Sequence, residues 1–173
     1  MRLRLKRLDE RRYETVITRS DGVTYHVKGV GHMGVIPHDL AHFVVERALG
    51  IRRGFWGSVA SGAVFGSLTY VSGRRRPQAA QRSKDVWKAN EKALTEVEIL
   101  VGLFDKAFED RLGADSPVLR ERLRRYTWTP PGDRPRQFTD AQISAVWSGW
   151  ADMLRSWDGL KVGDALDLDW PED

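Results

Sequence analysis

VTYHVKGVGHMGVIPHDLAHFVVERALG, residues 23–50, holds two hydrophobic periods in one stretch, and the change between them sets the fold class. Over residues 23–28 the period is two. Val23, Tyr25 and Val27 share one face, while Thr24, His26 and Lys28 share the other, the pattern of a half-buried strand. Gly29, Gly31 and Gly34 then form a loop. Pro37 suits the first position of a helix, where its missing N–H costs nothing. A helix is expected over about 37–49, ending at Gly50. It is apolar on most sides (Leu40, Phe43, Val44, Val45, Leu49), which predicts a central helix.

Working outward toward the N-terminus, residues 12–19 read as a second strand. Ser20-Asp21-Gly22 is the hairpin signal that joins it to the strand at 23–28. Leu3 and Leu5 alternate with Arg2, Arg4 and Lys6 in a further strand. On the other side, residues 54–73 contain no charge, and Arg52-Arg53 and Arg74-Arg75-Arg76 flank them. Their Gly and Ser content and the basic residues at both ends predict a buried helix rather than a membrane span. A long helix follows over about 81–112, with Val86, Ala93, Val97, Leu100, Phe104 and Phe108 as its buried stripe and Gly113 as its stop. Ser116-Pro117 opens a basic helix to about 126. Residues 129–135 read as a loop.

Thr139-Asp140-Ala141-Gln142 is a capping box. The helix it opens places Ile143, Trp147, Trp150, Leu154 and Trp157 on one stripe, and the tryptophans are assigned to the core. Leu166, Leu168 and Trp170 alternate with Asp167 and Asp169 in a last strand, which is expected to pair with the N-terminal hairpin. The whole chain, 1–173, thus predicts a single α+β domain. Its antiparallel sheet is built from both chain ends and packs on four or five helices.

Composition narrows the chemistry. The chain has 173 residues and no cysteine, which removes disulfides and thiolate metal ligands. A metal ion must then be held by imidazole and carboxylate, a donor set suited to zinc, manganese or iron. The N-terminal charges precede no apolar run, so no signal peptide is expected, and a soluble cytoplasmic protein is. Residues 1–90 hold 17 Lys+Arg against 7 Asp+Glu, a charge of +10, and residues 91–173 hold 11 against 17, a charge of −6. A basic N-terminal half is one means of attracting nucleic acid, an anionic membrane surface or an acidic protein. There is no phosphate-binding glycine loop with its lysine and no G-x-S-x-G nucleophile elbow.

All four histidines, His26, His32, His38 and His42, fall within 17 residues. His38, His42 and Glu46 are spaced i, i+4, i+8 and occupy an arc of about 80° on the helix. Two imidazoles one turn apart can share one metal ion. Glu46 is the candidate further ligand, orienting partner or general base, and Asp39, in the first turn, is a further candidate ligand. The competing reading is an ordinary helix face, with Asp39 favouring the helix dipole and His42–Glu46 an i,i+4 pair.

The run Pro37-His38-Asp39-Leu40-Ala41-His42-Phe43-Val44-Val45-Glu46, followed by Gly50 and Gly54-Phe55-Trp56-Gly57, resembles a signature of small bacterial proteins without an assigned function. Its His38-Asp39-x-x-His42 core is similar to the zinc-ligand motif of the Coq4 family, which acts in ubiquinone biosynthesis. That resemblance spans about five residues and implies zinc. The family's downstream glutamate has no counterpart here, because Arg53, Gly54 and Phe55 stand in that region. The His-Asp doublet also resembles that of HD-type phosphohydrolases, whose further histidine and aspartate lie on other helices.

Two functions follow as expectations. The first is a metal-binding protein, with a metal-dependent hydrolase as its possible activity, using His38, Asp39, His42 and Glu46, with Glu46 as the catalytic candidate. The second is a non-enzymatic module that binds a protein or polyanionic partner through the basic half. Whether the chain is an enzyme, and which small molecule or protein it meets, stays open at this stage.

Overall fold

The computed structural model describes residues 1–31, 33–126 and 137–171. The fold is α+β. Its strands are β1 (Arg2–Arg7), β2 (Arg12–Thr18), β3 (Thr24–Val30), β4 (Thr69–Ser72) and β5 (Ala165–Asp169), and its helices are α1 (His38–Leu49), α2 (Phe55–Ala60), α3 (Ala79–Glu109), α4 (Pro117–Arg124) and α5 (Asp140–Gly159). The sheet order is β4-β3-β2-β1-β5, and every neighbouring pair is antiparallel. Both chain ends therefore supply strands, as the alternation at each end predicts.

The alternation also selects the face. Leu3, Leu5, Tyr13, Ile17, Val23, Tyr25 and Val27 are buried, while Arg2, Arg4 and Lys6 are exposed on the other side of β1. Arg7 is an exception that turns inward. Its Nη1 donates to the Leu160 carbonyl at 2.9 Å and its guanidinium lies 5.0 Å from the Trp157 ring, so the buried charge is both hydrogen-bonded and stacked. Gly29 faces Tyr13 across the β2–β3 ladder. A Cβ there would stand 2.2 Å from the tyrosine ring, so the ring occupies the space that the missing side chain leaves.

α1 is central. Eight of its twelve residues are buried, and it touches α2, α3 and α5. It starts one residue later than expected, with Pro37 as its cap. Gly50 ends it at φ 67, in the left-handed conformation that favours glycine, and Ile51 N–H closes the turn on the Glu46 carbonyl at 2.8 Å.

Residues 54–73 are not one helix. α2 is only six residues long, Gly62 breaks the chain at φ 112, and Thr69–Ser72 add the edge strand β4. The absence of charge concealed this. A glycine every few residues cannot hold a helix, and Thr69, Tyr70 and Val71 favour extended backbone. Among the described residues no helix is long and apolar enough to cross a membrane.

α3 ends three residues before the expected limit, because Arg111 takes φ 53 and Leu112 N–H closes on the Ala107 carbonyl at 2.9 Å. Its N-terminal half buries Ser83 and Asn90 rather than apolar residues. Ser83 Oγ accepts Val64 N–H at 2.8 Å, and Asn90 Nδ2 donates to Ser58 Oγ at 2.9 Å, so polar bonds tie α3 to α2 and the turn after it. The capping box at Thr139 and Gln142 is formed with both of its bonds. The loop expected at 129–135 lies outside the described residues.

On α5 the buried stripe is Ile143, Val146, Trp150, Met153 and Trp157, at alternating steps of three and four. Trp147 and Leu154 flank it, half-buried, rather than lying on it.

Candidate metal centre

His38 is the first residue of α1 and His42 lies one turn on. The side chain of His38 is 65% exposed and that of His42 is 3% exposed. Their Nε2 atoms are 3.2 Å apart, with the rings edge to face at 4.6 Å. α3 passes α1 at this point and adds Glu98. One Glu98 oxygen lies 3.4 Å from His42 Nε2 and the other lies 3.5 Å from His38 Nε2. His38, His42 and Glu98 each offer one donor atom, and all of these lie within 4.8 Å of one another. Two imidazole nitrogens and a carboxylate oxygen are a fitting set for a borderline divalent ion.

The other nitrogen of His42 is fixed from behind. Its Nδ1 lies 3.1 Å from Glu46 Oε1. Glu46 is fully buried, and its carboxylate accepts Phe55 N–H at 2.8 Å and Trp56 N–H at 3.0 Å. The first N–H groups of α2, which have no partners within their own helix, are satisfied in this way. Gly54 makes the approach possible, because a Cβ there would stand 2.5 Å from the Glu46 carboxyl carbon. With Nδ1–H donating to Glu46, Nε2 is the nitrogen turned toward His38 and Glu98. This is the outer-shell arrangement that orients imidazole ligands in metal sites.

The electrostatics are strongly coupled. Burial alone lowers the affinity of His42 for its proton, but Glu46 and Glu98 outweigh it and lift the ring from 6.5 to about 9. Complete burial pushes the Glu46 carboxyl up, against hydrogen bonds from His42 and from the backbone of residues 55 and 57 that pull it down. Hydrogen bonds from the two imidazoles hold Glu98 far below the usual carboxylate range. Beside them on α3, burial and then Glu109 raise Asp105, while His38 opposes them.

A pH dependence follows for the metal-free protein. The proton on His42 is bound more tightly in the folded chain, so the stabilisation it brings is full below about pH 6.5 and fades as the pH rises through about 9. Denaturation of chelator-treated protein between pH 6 and 10 should show this loss, and His42→Gln should remove it. An unchanged slope in His42→Gln would assign the loss to other groups.

The sequence-derived candidates separate in space. His38 and His42 come together as the i,i+4 spacing predicts. Glu46 lies on the Nδ1 side of His42, outside the converging donor group. Asp39 is also outside that group. Its carboxyl faces the Tyr13 hydroxyl, burial raises it, and its Oδ2 is buried without a hydrogen-bond partner. Its carbonyl accepts Trp56 Nε1–H at 2.9 Å. His26 points to the open face of the sheet and pairs with Glu14. His32 lies outside the described residues.

Glu98 was not marked in the sequence. α3 also carries Glu91, Glu96, Asp105 and Glu109, and only the crossing with α1 distinguishes one acid from the rest. Its one local signal is its place beside Val97 on the buried stripe. Comparison of the chain with known protein families, with curated proteins and with solved structures finds no match, so function is read from this site alone.

Proposed function

We propose that the protein binds one divalent metal ion between α1 and α3 through His38, His42 and Glu98, and that it serves as a metal-dependent hydrolase. The observation that carries this reading is the convergence of three donor atoms from two helices on one point. Glu46 acts as a positioning residue. It reaches the point only through the His42 ring and has no exposed surface from which to meet a substrate. Zinc, manganese and iron all suit the donor set.

An ion held by three protein ligands supplies Lewis-acid chemistry toward a carbonyl or phosphoryl oxygen. The chain's own contribution is to hold the His42 tautomer through Glu46, to neutralise charge with Glu98, and to leave the His38 side open to solvent. That open side is what a hydrolase needs and a purely structural ion does not.

Protein purified without chelator or histidine tag should carry one metal ion per chain by elemental analysis. His42→Ala and Glu98→Gln should lose it. A chelator should lower the melting temperature of the wild type, and zinc, manganese or ferrous iron should restore it, adding about 2.7 kcal/mol to the unfolding free energy at a hundredfold excess over Kd. Absence of bound metal together with no stabilisation by any of the three ions would remove the centre. Hydrolysis is tested separately with nitrophenyl esters and phosphate esters. Turnover that follows metal content across the variants supports it, and bound metal without turnover of either class removes the hydrolase while keeping the centre.

A further inference from the structure

A second feature lies at the opposite end of α3. A pocket of about 90 Å³ opens between the hairpin turn, the turn after α2 and the first turns of α3. Arg19, Arg75, Arg76 and Arg82 line it together with Asp21 and Ser61. Four guanidinium groups against one carboxylate leave a net charge of +3 around one small space.

Asp21 is already engaged. Arg19 holds it at 2.6 Å, and Val23 N–H donates to it at 3.2 Å. Arg76 acts on it only through space. Among the described residues, the side chains of Arg76 and Arg82 make no ion pair or hydrogen bond of their own.

Two of the four cations are held in place. The guanidinium of Arg75 lies 4.0 Å from the Tyr70 ring and 6.0 Å from that of Tyr25, and Arg19 lies 5.4 Å from the Tyr25 ring on its other contact. Tyr25 and Tyr70 are themselves packed edge to face. Stacking against an aromatic face leaves the in-plane N–H groups of Arg75 available to match the oxygens of a phosphate in pairs, whereas Arg19 already gives Nε–H and Nη2–H to Asp21 and contributes charge. Like charges brought this close repel one another, and a bound dianion relieves the repulsion.

We propose that this pocket binds a phosphate group carried as a monoester. Its volume admits one such group and little more. The site is separate from the metal centre, because Arg82 and Glu98 lie about 24 Å apart along α3 at 1.5 Å per residue. Neither site depends on the other for its existence.

The test titrates the full chain with inorganic phosphate, followed by calorimetry and by the arginine Nε–H resonances. Saturable binding of one phosphate is expected, with the largest shifts at Arg75, Arg76 and Arg82 and none at Arg4, whose partner is Asp167 on the far side of the sheet. The double variant Arg76→Ala, Arg82→Ala should weaken binding about tenfold or more, the loss of at least one charge-assisted contact. Arg2→Ala, Lys6→Ala removes the same amount of charge from the open sheet face and should leave binding unchanged. Both pairs are exposed, so the fold should survive each change.

Glycerol 3-phosphate in solution and phosphatidic acid in phosphatidylcholine vesicles separate a free from a lipid-borne phosphate. Binding of either that is lost in the Arg76, Arg82 variant supports the pocket. The proposal is overturned by non-saturating shifts, by equal losses in both double variants, or by tighter binding of a single-stranded oligonucleotide that the Arg76, Arg82 variant retains. His38→Ala should bind phosphate as the wild type does, whatever the fate of the metal centre.

Discussion

Glu46→Leu should destabilise the fold by about 3–5 kcal/mol, the cost of leaving the partner of a buried charge unpaired. Leucine fills a similar volume, so the loss is polar rather than a cavity. It strands His42 Nδ1–H and the N–H groups of Phe55 and Trp56, all of which now end on one carboxylate. In a chain of this size the melting temperature should fall by roughly 6–20 °C. Glu46→Gln keeps the shape and one acceptor oxygen, but its amide N–H₂ opposes another donor, so an intermediate loss is expected. Urea denaturation measures both. A loss below about 1 kcal/mol for Glu46→Leu would show that the carboxylate does not hold α2 to α1.

The second large effect is expected at Trp150. It is 2% exposed and stacks on Phe108 at 5.0 Å, so Trp150→Ala should cost about 3–5 kcal/mol. Trp147 stacks on the same ring at 3.8 Å but stays half-buried at the edge of the stripe. Trp147→Ala should cost clearly less. Equal losses at the two positions in chemical denaturation would mean that α5 is rotated so that Trp147 is buried as deeply as Trp150.

β1, β2, β3 and β5 were legible because a period of two admits one interpretation per face, whereas β4, four exposed residues inside a stretch without charge, reads as helix. Leu3, Leu5, Val23, Tyr25 and Val27 could point only one way once the hairpin was placed. α5 was legible in its start, where the Thr139 capping box is a local device. Its stripe was less so, because choosing the large residues Trp147 and Leu154 over Val146 and Met153 rotated the face by one position. Size is not burial. Both sets advance by alternating steps of three and four, so the period admits either face, and the packing of α5 on α1 selects the one with Val146 and Met153.

At the candidate site the two histidines were legible for the same local reason. Glu46 was visible as a neighbour, but its direction was not. Whether a carboxylate one turn from His42 faces solvent, an ion or a helix end depends on Gly54 reaching it, a contact made by a loop that follows Gly50. Glu98 was invisible, because its role arises from the crossing of two helices far apart in sequence.

The pairing of β1 with β5 has a consequence for how the chain folds. The main-chain groups of Met1 and Trp170 are bonded to each other at 2.8 Å and 3.1 Å, and five residues of each strand are in register. The contact joins strands more than 150 residues apart in sequence, so its loop-closure entropy must be met before it contributes anything. During synthesis, which proceeds at about 5–20 residues per second, β1 can pair with β2 early, but its other edge stays uncovered until residues 165–169 have been made. Until then the nascent protein presents Arg2, Arg4 and Lys6 along an open strand edge. Three cations in a row deter the pairing of that edge with a neighbouring chain while it waits.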